Sequence, residues 1–197
     1  MKQRSTPLGA SCTSELAMVR LLLIRHCEST GQQPDGALSA AGEAQAIALI
    51  DRLTALAPDA IYSSPYRRAI ATVQPFASRV GLAIREDPRL RERELSPEPL
   101  DDWLDHIRRS YDDLDHRAAA GGETLRETQA RGLAALADIA AAGHRLPIAV
   151  SHGNLISAIL RAADPAFGFD EWRGLRNPDL FSVTVEIDRP TAFVRID

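Results

Sequence analysis

Four apolar residues in a row, Leu21-Leu22-Leu23-Ile24, run straight into Arg25-His26-Cys27-Glu28-Ser29 with no polar residue alternating among them. A strand with one wet face alternates apolar and polar side chains. An unbroken apolar run therefore marks a strand covered on both faces, in the middle of a sheet between helices. Shorter β-rich runs recur at 59–62, 82–85 and 148–150, and longer segments of helical spacing lie between them. This alternation predicts an α/β fold: a three-layer α/β/α sandwich with a mostly parallel central sheet whose first strand spans 19–24.

Local signals place the helices. Ser39 is positioned to cap a helix starting at Ala40, with Ala44, Ile47, Ala48, Ile50 and Leu53 as its inward stripe and Pro58 forcing its end. Ser64-Pro65 reads as an N-cap followed by proline at the first helical position, opening a helix that buries Tyr66, Ala69, Ile70, Val73 and Phe76 or Ala77 and kinks at Pro75. Further helices are expected over 123–142 and 155–163. Residues 181–187 and 191–196 alternate as a closing hairpin with Asp188-Arg189-Pro190 at its turn. Residues 89–117 are charged and interrupted by Pro97 and Pro99. They read as a loop leading into an exposed helix, an insertion lying over one end of the sheet.

Composition narrows the class. A chain of 197 residues with 23 basic against 27 acidic side chains fits one globular domain. The mild negative charge is spread out, so no nucleic-acid footprint is expected. There is no apolar run long enough for a membrane span, so no membrane partner is expected. Residues 1–17 lack the apolar centre of a secretory signal and are expected to form a flexible N-terminal extension. Cys12 and Cys27 make no disulfide framework, which leaves a reducing cytoplasm as the expected compartment.

The chemistry collects in three clusters. "RHCES", "SSPYRRA" and "SHGN" each follow a strand and lead into a helix, and parallel strands bring such ends to one edge, where α/β folds bind ligands. The pooled groups are Arg25, His26, Arg67 or Arg68, and His152. Cationic donors beside helix N-termini suit a dianion, phosphate above all. A metal fits less well, because there is no HxH or HExxH spacing and the neighbours are cationic. Arginines also disfavour a charged imidazole, leaving its lone pair free to act as a nucleophile.

With these residues in view, the chain from Met18 onward resembles the histidine phosphatase superfamily, which includes the phosphoglycerate mutases and many small bacterial phosphatases. "LIRHCES" is similar to the family's R-H-G-E-[ST], "DGALSAAGEAQA" to P-L-T-x-x-G-x-x-Q-A, and "IYSSPYRRAIATV" to S-S-x-L-x-R-A-x-x-T. "RLRERE" resembles the L-x-E acid segment, "GGETLRE" the G-E-S box, and "AVSHGNLI" V-S-H-G-x-x-I. Their order and spacing carry the resemblance. It implies a phosphoglycerate mutase-like fold in which 18–197 form a single histidine phosphatase-like catalytic domain, with a lid-like insertion near 91–117.

The resemblance also implies roles. His26 is the nucleophile, with Arg25, Arg68 and His152 as the phosphate clamp. Within "SSPYRRA" the family's arginine directly precedes alanine, which selects Arg68 over Arg67, and Arg68 is expected off the helix's apolar face. Glu92 is the acid and later the base, with Glu94 as its competitor. Ser29 and the backbone of Gly153 add phosphate or substrate contacts. The implied activity is hydrolysis of small phosphomonoesters through a phosphohistidine, with no metal or organic cofactor. The alternatives are mutase-type phosphoryl transfer and non-catalytic binding of phosphorylated ligands. Cys27, Tyr66, Gln32 and Asn154 depart from the family pattern around the phosphate site.

Cys27 is a packing residue rather than a thiol nucleophile, turned away from the site because His26 faces in. His106, His116 and His144 are solvated. The Asp112-Asp113-Leu114-Asp115 run is an exposed polar face. Trp103 and Trp172 are packing anchors, with Trp103 the better exception.

Overall fold

A computed structural model describes residues 18–186 and 189–197. The expected extension, 1–17, lies outside the described residues, as does Asp188 of the expected turn. Six strands form one sheet: β1 (Met18–Arg25), β2 (Ala60–Ser63), β3 (Ile84–Glu86), β4 (Pro147–Ser151), β5 (Asp179–Glu186) and β6 (Arg189–Ile196), in the order β3-β2-β4-β1-β5-β6. Strands β3, β2, β4 and β1 run parallel, and β5 and β6 close the sheet as antiparallel neighbours. The helices are α1 (Ala40–Leu56), α2 (Arg67–Val80), α3 (Trp103–Asp112), α4 (Leu125–Ala141), α5 (Gly153–Ala163) and the short α6 (Phe169–Arg173), which the sequence reading lacked.

The unbroken run of β1 does what its composition requires. Leu21 and Leu23 join a core with α4 and α5, while Leu22 and Ile24 join a second core with α1 and α2. Successive side chains point to opposite faces, so both faces of this strand are dry. Each buried aliphatic side chain of this kind contributes about 2 kcal/mol. A register slip would reverse every one of them, so the end of β1 is fixed in space.

Several local expectations need correction. Ser39 does cap α1, its hydroxyl accepting from Gly42 N at 3.1 Å. The buried stripe, however, is Gly42, Ala46, Leu49 and Leu53, and Ile47 is 62% exposed. The helix is rotated because Gly42 lies against the backbone of Glu28, where a Cβ would come within 2.0 Å of the carbonyl oxygen. Helix α2 begins at Arg67, not at Pro65, and runs on through Pro75. Tyr66 and Ile70 are only half-buried there. Arg189 and Pro190 belong to β6 rather than to a turn. Proline is tolerated there because β6 is an edge strand. Helix α3 is amphipathic rather than exposed, burying Ile107, Ser110 and Tyr111. Among the described residues, no helix is long and apolar enough to cross a membrane.

Candidate active site

The three polar clusters meet because β2, β4 and β1 are adjacent. Beyond the strands, His26 N donates to Ser151 O at 3.0 Å and Ser64 N donates to Val150 O at 2.9 Å, stitching the three chain ends together. Arg25, His26, Ser64, Arg68 and His152 thus share one edge of the sheet.

His26 is 4% exposed. Its Nδ1 lies 2.6 Å from the carbonyl oxygen of Cys27. A carbonyl can only accept, so Nδ1 carries the hydrogen and Nε2 keeps its lone pair. Arg68 Nε donates to that Nε2 at 3.2 Å. Burial pushes the His26 pKa down to about 4; the Cys27 carbonyl opposes this, and Arg68 and Arg25 add to it. The imidazole is neutral at neutral pH, with its lone-pair nitrogen facing a guanidinium.

His152 is wholly buried, its ring centroid 5.1 Å from that of His26 and 5.0 Å from that of Tyr66. Its Nε2 is 2.7 Å from the Ser64 hydroxyl. Burial, followed by the nearby His26, Arg68 and Arg25, holds its pKa well below the ordinary histidine value. Ser64 is therefore a site residue that sequence reasoning assigned to helix capping. Its partner is remote in sequence, and only the sheet order joins them.

Arg68 lies in the first turn of α2 but is wholly buried, so it belongs to the packed side of the helix rather than standing clear of it. Its Nη1 donates to Gln32 O at 3.0 Å and to Gln33 O at 2.8 Å, which is where Gln32 enters the site, through its backbone. Arg25 Nη1 donates to Leu175 O at 2.8 Å, and its guanidinium packs over Gly153, whose Cβ position is 3.4 Å away. Burial lowers both arginines from their ordinary value while Glu92 opposes the shift, and a guanidinium remains charged. Arg67 is exposed.

Six buried polar side-chain atoms among the described residues lack a hydrogen-bond partner, and three of them are Arg25 Nε, Arg68 Nη2 and His152 Nδ1. Native proteins satisfy almost all such groups, so three orphans around one imidazole mark a place prepared for a ligand with several acceptor oxygens. Glu92 stands beside them, its carboxylate accepting from Arg93 N at 2.8 Å and from Asn154 N and Leu155 N, both at 3.3 Å, at the start of α5. Glu94 is exposed. Ser29 is less committed, because its hydroxyl donates to Gly31 O at 3.1 Å. Among the described residues, no three His, Cys, Asp or Glu side chains assemble a metal cage.

Sequence reasoning also missed Asn177. Its amide donates to the carbonyl oxygen of His26 at 2.7 Å, and the same loop supplies the carbonyls that hold Arg25. The Asn-Pro pair signals a loop, but nothing in the sequence points that loop at the site.

Cys27 is wholly buried in the core formed with α1 and α2. Burial pushes its thiol up to about 11, so it is a poor nucleophile. It packs on the same side as Leu22 and Ile24 because β1 ends at Arg25, so strict alternation does not reach it. His106 and His116 are not simply solvated. Their rings stack at 5.2 Å, with Nδ1 to Nε2 at 2.9 Å, and His144 lies 3.2 Å from the Tyr62 hydroxyl. Asp112, Asp113 and Asp115 are exposed as expected. Trp172 packs against the core, whereas Trp103 is 47% exposed and anchors nothing comparable.

The buried imidazoles make stability depend on pH. Unfolding frees histidine to titrate near 6.5, so below that pH the unfolded chain binds more protons and stability falls. For His26 the loss begins near pH 6.5 and is complete below about pH 4, amounting to roughly 3 kcal/mol. Denaturant titrations at pH 7 and pH 4.5 should show a larger drop for the wild type than for His26→Asn. Equal drops would contradict the burial argument.

A neutral imidazole ringed by unpartnered cationic donors at the strand ends of an α/β sheet defines an enzyme site for phosphoryl groups. Comparison with known proteins narrows this. Residues 21–193 match the model of the histidine phosphatase superfamily (branch 1). The glucosyl-3-phosphoglycerate phosphatase of Mycobacterium tuberculosis is 31% identical over 170 residues, covering 73% of this chain and 74% of the relative. The solved structure of mycobacterial hydrolase 1 superposes with a TM-score of 0.72 at 25% identity, covering 92% of this chain and 98% of that one. A mycobacterial glucosyl-3-phosphoglycerate phosphatase in complex with inorganic phosphate gives 0.69 at 26% identity, covering 91% and 96%. The chain belongs to the histidine phosphatase superfamily, with its phosphoglycerate mutase-like fold, and is a phosphatase of it.

Proposed function

We propose that this phosphatase hydrolyses a small phosphate monoester in two in-line displacements at His26, within a single catalytic domain spanning 18–197. The observation that carries this reading is the set of unpartnered buried nitrogens on Arg25, Arg68 and His152 around the His26 lone pair. These donors hold the phosphoryl oxygens and balance charge as it develops. Nε2 of His26 attacks phosphorus. The bond to the leaving oxygen breaks, and the proton of the Glu92 carboxyl goes to that oxygen. As Nε2 becomes bonded to phosphorus it ceases to accept, so Arg68 Nε–H is released toward a phosphoryl oxygen.

In the second displacement the Glu92 carboxylate takes a proton from water, whose oxygen attacks phosphorus. The P–N bond breaks and its electron pair returns to Nε2, releasing inorganic phosphate. No step calls on a metal. Gly153 contributes by letting Arg25 lie flat against the start of α5, and residues 91–117 act as a lid whose first, irregular segment carries Glu92. The relatives' names support a sugar-linked phosphoglycerate as the first ester to try. They also support ordinary sugar phosphates and phosphoglycerates as the surrounding class.

A panel of such esters with phosphoserine and nucleotides, assayed with chelator and with an added acceptor alcohol, tests this. The expected result is stoichiometric inorganic phosphate, unaffected by chelator. Phosphoryl recovered mainly on the acceptor, or no release from any ester, would overturn it.

A further inference from the structure

Glu92 has no regular structure of its own to aim it. It lies in the connection between the single helical turn Pro88–Leu90 and α3. Proton transfer to a leaving oxygen nonetheless needs placement to a fraction of an ångström. Two residues of α4 and its approach supply this placement. Glu123, just before the α4 cap Thr124, is held in a two-point contact by Arg131, Nε to Oε1 at 3.0 Å and Nη2 to Oε2 at 2.8 Å. Their side chains are 15% and 11% exposed.

From this pair, bonds reach both flanks of Glu92. Arg131 Nη1 donates to the carbonyls of Arg89 and Arg91. Arg91 Nη2 donates to Glu123 Oε1 at 2.8 Å, Arg93 Nε to Glu123 O at 3.1 Å, and Glu94 N to Glu123 Oε2 at 3.3 Å. Glu123 N in turn donates to Glu94 O at 2.6 Å. Residues 91, 93 and 94 are thus all tied to Glu123, and Glu92 alone is left to turn its carboxylate to the start of α5. The distance between clamp and carboxylate is set by the packing of α4 on α5. Gly132, next to Arg131, lies so close that a Cβ would come within 2.7 Å of Leu155 Cδ1, and Leu155 N is one of the donors to Glu92.

We propose that Arg131 and Glu123 are positioning residues for the general acid, fixing the backbone around Glu92 so that its carboxyl meets the leaving oxygen. A buried ion pair is weak ground for stability, since desolvation offsets much of its attraction. A pair whose donors end on the backbone on both sides of one carboxylate serves geometry. The inference rests on Glu92 being the acid, and its test separates the two claims.

A p-nitrophenolate leaves without protonation, whereas an alkoxide does not. Values of kcat/KM for p-nitrophenyl phosphate and glycerol 3-phosphate are compared in the wild type, Arg131→Ala, Arg131→Lys and Glu92→Gln. Arg131→Ala is expected to lower the alkyl value about 30-fold and the aryl value by less than about threefold. Arg131→Lys keeps the charge but cannot bridge carboxylate and carbonyls together, and is expected to show a smaller loss with the same preference. It serves as the readout if the alanine variant does not fold. Equal losses on both substrates, or none, overturn the positioning role. If Glu92→Gln itself shows no leaving-group preference, the acid assignment fails, whatever Arg131 does.

Discussion

Replacing His26 with alanine stops turnover: phosphate release from any ester the wild type accepts falls by about 10⁴-fold or more. The size follows from what is left behind. Arg25, Arg68 and His152 still present their unpartnered nitrogens and still bind the phosphoryl group, but the site then holds no neutral nitrogen base at the atom Arg68 Nε faces. His152 does not substitute, because its Nε2 is engaged by the Ser64 hydroxyl and its Nδ1 is one of the groups that hold the phosphoryl oxygens. Cys27 cannot either, since its thiol is held up at about 11 and packed into the core. Release assays on His26→Ala, with circular dichroism to show that the fold is kept, check this. Residual activity within a hundredfold of wild type would place the nucleophile elsewhere.

Arg68→Lys gives the second large effect, a loss of about 10²–10³-fold in kcat, although the positive charge is retained. One guanidinium here serves His26 Nε2, the carbonyls of Gln32 and Gln33, and an open position at Nη2. An ammonium has three donors and no planar fork, so it cannot meet these directions at once. The two part-buried bonds to the Gln32 and Gln33 carbonyls are lost too, at about 1 kcal/mol each, so a lower melting temperature is expected as well. Arg67→Ala is the matching control. Its side chain is exposed, and activity should stay within about twofold. Comparable losses in both variants would contradict the choice between these neighbours.

Much of this site is written in single strands and their ends. The apolar run of β1 forces a central position, the parallel order brings "RHCES", "SSPYRRA" and "SHGN" to one edge, and the charge types gathered there define the ligand. What the sequence withholds depends on partners distant along the chain. Ser64 looks like a helix cap until β4 places His152 beside it. Asn177 acquires a role only because β5 returns next to β1. The inward face of α1 could not be read from apolar spacing, because a glycine, not a large residue, marks the line of closest approach. His106 and His116 each look solvated in isolation and shield one another once α3 is folded. The clamp from Glu123 and Arg131 acts on carbonyls, which carry no trace in residue identity.

A covalent bond from phosphorus to His26 Nε2 is expected to form during turnover. It is tested most directly by mixing the enzyme with a ³²P-labelled ester, quenching in denaturant at alkaline pH, and mapping the label by peptide mass spectrometry. An acid-labile, base-stable phosphoryl group is expected on the peptide containing His26 and is expected to be absent from His26→Ala. Acid-stable label, label on another residue, or full turnover with no labelled enzyme would contradict it.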